Sequence, residues 1–159
     1  MQFFSCLKKN IFLIVIGSLL SIIILSLAYL ISVNTALKNN EALVNISNQI
    51  FKLEIVSDPL DVYRGLSNRK ELCEKCGMLF VFPDLSERTF VMRNMNFPLD
   101  IIFLAEGRIV KIHANLPPEG SNVKNLYSSN APADQVLEIN AGLAAQLGLR
   151  EGAELILPH

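Results

Sequence analysis

Between Ile11 and Val33 the chain runs for 23 residues without an Asp, Glu, Lys or Arg. A helix rises about 1.5 Å per residue, so this run exceeds the roughly 20 residues needed to cross about 30 Å of hydrocarbon. Lys8 and Lys9 stand just before it, and the first charges after it are Lys38 and Glu41. That bias holds the amino terminus in the cytoplasm and puts the remainder outside. A cleaved signal peptide starts with similar charges, but its apolar stretch is usually about 7 to 15 residues long and ends in a small-x-small site. Here the run is longer and Ser32-Val33-Asn34-Thr35-Ala36 is a poor site. The unbroken length and basic flank also argue against a buried soluble helix. The expectation is a single-pass anchor in the cytoplasmic membrane. Residues 1–10 are then a cytoplasmic tail, 11–33 a transmembrane helix, 34–48 a polar stalk and 49–159 one extracytoplasmic β-rich domain. Cys6 falls on the cytoplasmic side as a free thiol.

A chain that is 51% hydrophobic and 18% charged is too apolar for an ordinary soluble domain of this length, and the anchor run holds the excess. Lys8 and Lys9 are the only charges up to Val33, which leaves 12 basic and 15 acidic residues beyond it. With no Lys/Arg cluster and no basic-aromatic repeat there, nucleic acid is excluded as a partner. The membrane is the partner that the sequence does imply; a protein partner is not specified.

In the outer part, the polar stretch Asn34 to Asn48 has no amphipathic period and reads as a stalk. Phe51-Lys52-Leu53-Glu54-Ile55 alternates with period two, as a half-buried strand requires. Asp58 followed by Pro59 reads as an N-cap opening a short helix through about Leu66. Further runs of strand length are Met78 to Phe82, Thr89 to Met92, Leu99 to Leu104, Arg108 to His113, Gln135 to Ile139 and Glu154 to Leu157. Ala105-Glu106-Gly107 suits a hairpin turn, and Ala141 to Leu147, stopped by Gly148, suits a second short helix. Strands this close leave no room for crossover helices. The expected fold is therefore mainly β, a small antiparallel sandwich or barrel-like domain with two short helices, preceded by one transmembrane helix.

Several blocks then occur in a specific order: Arg64-Gly65-Leu66, Asn68-Arg69, Gly77-Met78-Leu79-Phe80, Phe90-Val91-Met92-Arg93-Asn94, Pro98-Leu99-Asp100-Ile101-Ile102-Phe103, and Leu137-Glu138 with Ala141-Gly142. In this order and spacing, from about Phe51 to Leu157, the chain resembles the Domain of Unknown Function 192 family. The resemblance implies a small, mainly β, sandwich-like domain, often exported, and no established activity. Two positions depart from the family pattern, Val91 where Trp is usual and Met95 where Thr is usual. The pair Cys73 and Cys76 is not a general family feature.

Cys73-Glu74-Lys75-Cys76 is the sharpest local pattern, since two cysteines at this spacing close a disulfide, exchange thiols or hold a metal from one side. An oxidising compartment favours the disulfide. Thiol exchange would want the first cysteine at a helix start, and zinc would want about four ligands where only His113, His159 and carboxylates remain. No metal site is read from the sequence. Arg64, Arg69, Asn94 and Asp100 form a second group of polar residues beside apolar runs. Asp100, inside the apolar strand, must be paired if buried. In one reading Arg64 or Arg93 pairs with Asp100, and Asn94 ties down the loop to Pro98. In the other, the group forms a shallow pocket for a small polar or anionic ligand. No G-x-S-x-G elbow, Walker or Rossmann glycine pattern is present, so no catalytic residue and no cofactor are assigned. A binding or accessory module leads. A thiol-disulfide protein using Cys73 and Cys76, and a structural partner of a membrane complex, are the alternatives.

Overall fold

A computed structural model describes residues 17–30 and 41–158. Residues 17–30 form a helix (α1), and every residue in it is exposed. It rises about 21 Å at the helical pitch. Among the described residues no helix is long and apolar enough to cross a membrane. The flanks of the expected 11–33 segment and the 1–10 tail lie outside the described residues.

The remainder, residues 40–159, forms a separate unit. It builds β1 (Glu41–Ile46), β2 (Gln49–Val56), α2 (Pro59–Arg64), β3 (Cys76–Phe90), β4 (Leu99–Ala105), β5 (Arg108–Leu116), β6 (Tyr127–Asn140) and α3 (Leu143–Gln146). The six strands form one sheet in the order β1-β2-β3-β6-β4-β5. Three expectations are corrected. The sheet is open and mixed, because β2 and β3 run parallel while the other neighbours are antiparallel. The stretch between them does hold a crossover helix, α2, with Asp58 accepting from the Leu60 amide at 2.9 Å and Pro59 in the first turn. The polar stalk is not wholly a stalk, since Glu41–Ile46 pairs with β2 through a two-residue turn at Ser47 and Asn48. Both turn residues have positive φ, the type I′ geometry that matches strand twist.

β3 also joins two runs that looked separate across Pro83. Register shifts between Val81 and Ser86 and between Glu87 and Thr89 absorb the interruption. Arg88 clamps the bulge, donating from Nε to the Ala133 carbonyl at 3.1 Å and stacking 4.1 Å over Phe82. The hairpin at Glu106-Gly107 forms, with Ala105 opposite Arg108. Gly107 is required there twice over, by its φ of +75° and because a Cβ would meet Ile156 Cδ1 at 2.7 Å. Glu154 to Leu157 makes only an isolated bridge, Glu154 to Arg108, and lies along β5 rather than adding a strand.

Both faces of the sheet are apolar and covered. One buries Phe51, Leu53, Leu79, Leu137 and Ile139 with Ala144 of α3 and the carboxy-terminal Leu155 and Leu157. The other buries Met78, Phe80, Ile101, Phe103 and Val136 under Leu66, Met92 and Met95. Strand β4, from Leu99 to Leu104, is buried throughout.

Candidate functional site

β6 places one acid inside the apolar run Val136-Leu137-Glu138-Ile139. Glu138 lies opposite Met78 of β3 and Ile101 of β4. By the period of two it shares their face, while Leu137 and Ile139 point into the other core. Glu138 is 5% exposed and its Oε2 has no hydrogen-bond partner among the described residues. Burial pushes its pKa up to about 8, against the opposing pull of the Arg69 charge. Near neutrality it is mostly a carboxylic acid, able to donate. Folded proteins leave few buried carboxyls unpartnered, because the desolvated group loses its hydration without replacement.

Glu138 helps line a pocket of about 280 Å³ between α2, the end of β3 and the loop that follows. Leu66, Phe80, Phe90, Val91 and Met95 supply apolar walls, and Arg64, Ser67, Thr89 and Arg93 supply polar groups. Phe80 and Phe90 meet edge to face at 4.9 Å, and Phe90 meets Phe103 at 5.7 Å, which fixes the aromatic wall. Gly65 caps α2 with φ +48°, and a Cβ there would already touch Phe80 at 3.6 Å.

Backbone staples hold the rim. The Ser67 hydroxyl donates to the Arg93 carbonyl at 2.8 Å, and the Asn68 amide donates to the Asn94 carbonyl at 2.8 Å. From the other side, the Met95 amide donates to Glu119 and the Asn94 amide to Gly120, both at 3.1 Å. The Glu119 carboxyl in turn accepts from the Lys124 amide at 2.9 Å, which helps hold its pKa below the usual carboxylate range. Arg93 stacks 4.0 Å over the Tyr63 ring and donates to the Tyr63 carbonyl at 2.8 Å.

The four residues expected as one group do not converge. Arg64 lines the pocket, 64% exposed at its side chain and paired with Asp61 at 2.8 Å. Arg69 lines a neighbouring cavity of about 190 Å³ and pairs with Glu54 at 2.8 Å. Asn94 contributes its backbone, in the left-handed region at φ 53°. Asp100 lies opposite Ile139, on the other face of the sheet. Its carboxylate accepts from the amides of Asn115 (2.7 Å), Gly142 (3.0 Å) and Ala144 (2.8 Å). The expected pairing of Asp100 with Arg64 or Arg93 is therefore replaced by three backbone donors from distant parts of the chain. Glu138 is the site residue that the sequence expectation lacks, although its position inside an apolar strand carries the same signal as Asp100.

Cys73 and Cys76 are joined by a disulfide, with Cα atoms 5.1 Å apart, at the entry to β3 and beside Arg69 in the smaller cavity. His113 lies three strands away, about 14 Å at sheet spacing. Its Nε2–H donates to the Ser128 carbonyl at 2.8 Å, and its ring packs between Phe103 and Tyr127. Among the described residues no cluster of three His, Cys, Asp or Glu is placed to hold a metal.

A β-rich domain with an apolar pocket over a buried acid defines the class. The chain belongs to the DUF192 family, described as "Uncharacterized ACR", whose model matches residues 42–157. Two solved structures are similar. One is a proposed transcription regulator from Sinorhizobium meliloti 1021, 32% identical, with a TM-score of 0.63, covering 72% of this chain and 88% of that one. The other is a protein of unknown function from Novosphingobium aromaticivorans, 34% identical, with a TM-score of 0.64, covering 74% of this chain and 83% of that one. No curated protein matches. Val91 and Met95, the two departures from the family pattern, both line the pocket.

Proposed function

We propose that this protein is a membrane-anchored binding module, holding its β domain outside the cytoplasmic membrane and taking a small ligand in the pocket over Glu138. The observation that carries this reading is Glu138, 5% exposed and with its Oε2 lacking a hydrogen-bond partner among the described residues, in the lining of a pocket of about 280 Å³. Such a group is costly to bury, and a ligand that hydrogen-bonds to it removes the cost. The anchor is supported by the charge-free run from Ile11 to Val33 with Lys8 and Lys9 before it. Within α1, Ser21 and Ser26 donate to the carbonyls of Ser18 and Ile23 at 2.8 Å, so their hydroxyls need no water. The Cys73–Cys76 bridge is a staple on the loop entering β3 and does not start a helix, the position that activates a thiol for exchange.

The test is a ligand-observed NMR screen of small ring-bearing fragments against the full chain in detergent micelles. Saturation transfer to a subset is expected, and Val91→Trp, which fills the pocket, abolishes it while circular dichroism stays native. Transfer that is absent for every fragment, or unchanged in Val91→Trp, would remove the binding reading.

A further inference from the structure

We infer that the pocket takes a small oxyanion with an apolar body, a carboxylate or phosphate monoester, whose anionic group lies at Arg93 with one of its oxygens accepting a hydrogen bond from Glu138. The inference rests on the reading of the pocket as a ligand site and adds the chemical class of the ligand. Charge decides it. Arg64 is neutralised by Asp61 and Arg69 by Glu54, each at 2.8 Å. Among the described residues Arg93 has no carboxylate within ion-pair distance, only the Tyr63 ring and carbonyl. A protonated Glu138 adds no negative charge, so the lining carries an uncompensated cation. An ammonium group entering here would face the Arg93 charge, with the Arg69 charge also acting on Glu138, and would gain an anionic partner only by ionising a buried acid. Beside these polar groups, Leu66, Phe80 and Phe90 offer apolar surface for the body of the ligand, and 280 Å³ admits about one substituted ring.

The pH response follows from the groups around Glu138. α2 brings Tyr63 and Arg64 with Asp61, and the loop after it brings Arg69 with Glu54 of β2. The loop after β3 brings Arg93, while β3 and β4 present Met78 and Ile101 beside the carboxyl and Phe80 and Phe103 further along the same face. With its pKa raised to about 8, Glu138 loses its proton between about pH 7 and about pH 9. A ligand that needs its proton binds in proportion to the protonated fraction, which falls about tenfold across that window.

Binding of benzoate, phenyl phosphate, benzylamine and benzyl alcohol to the full chain in micelles, followed by NMR titration, tests this. The expected result is that benzoate, phenyl phosphate or both bind at least tenfold more tightly than the amine and the alcohol, and lose about tenfold from about pH 7 to about pH 9. Which anion is tighter assigns carboxylate or phosphate. Glu138→Gln, whose amide donates without titrating, keeps anion binding and flattens its pH dependence, and Arg93→Gln weakens it about tenfold. Preference for benzylamine, or equal binding of benzyl alcohol, would overturn the ligand class and leave the pocket reading intact. Failure of all four probes would overturn both.

Discussion

Glu138 and Asp100 present the same sequence signal, an acid inside an apolar strand, and the structure resolves them in opposite ways. Asp100 collects three amides from residues 115, 142 and 144, a convergence that no local pattern displays. Glu138 collects none on Oε2. That contrast is why the chemistry of the strand was legible and the location of the site was not. It also has an energetic consequence. The folded-state pKa of Glu138, about 8, lies above its ordinary 4.5, so the native state keeps a proton that the unfolded chain releases between these values. Stability therefore falls as pH rises through that window and levels off above it. Glu138→Leu removes the penalty and is expected to stabilise the protein by about 1–3 kcal/mol near neutral pH. Thermal unfolding at about pH 5, 7 and 8 checks both parts: the parent's midpoint should drop with pH more steeply than the variant's. A variant less stable than the parent at about pH 8 would show that Glu138 has a partner in solution.

At the level of elements, local chemistry located most strands, and long-range pairing decided how they were used. Asp58-Pro59 announced α2, and Glu106-Gly107 announced the β4–β5 turn. The parallel pairing of β2 with β3 depends on α2 serving as a crossover, which strand spacing alone concealed. β1 is hidden in the sequence because it lies in a polar, Asn-rich stretch and its outward Leu43 interrupts an otherwise polar face, so only its hairpin with β2 makes it a strand. The Cys73–Cys76 bridge belongs to this scale, because it constrains the loop through which the crossover re-enters the sheet. Closing so short a loop removes little chain entropy, so replacing both cysteines by serine is expected to cost about 2 kcal/mol. The anion-binding pocket, lined by other residues, should be unaffected. Denaturant unfolding together with the benzoate titration measures the two effects. Loss of binding without loss of stability would contradict the staple.

For the whole molecule, membership of the DUF192 family supplies the domain, and the run from Ile11 to Val33 supplies what the domain is attached to in our proposal. The two parts carry different thiols, which lets one chain report its own topology. Cys6 precedes the apolar run and lies on the Lys8-Lys9 side, whereas Cys73 and Cys76 belong to the domain beyond it. If the lysines hold the amino terminus inside, a membrane-impermeant maleimide added to spheroplasts should miss Cys6 until the membrane is permeabilised. Cys73 and Cys76 should label without permeabilisation, but only after reduction opens their bridge. The full chain should sediment with membranes and resist alkaline carbonate, as an apolar helix held by the hydrophobic effect requires. Labelling of Cys6 in intact spheroplasts would invert the topology. Release of the chain by carbonate would remove the anchor and leave the pocket to be explained in another compartment, where the same bridge would face reducing conditions.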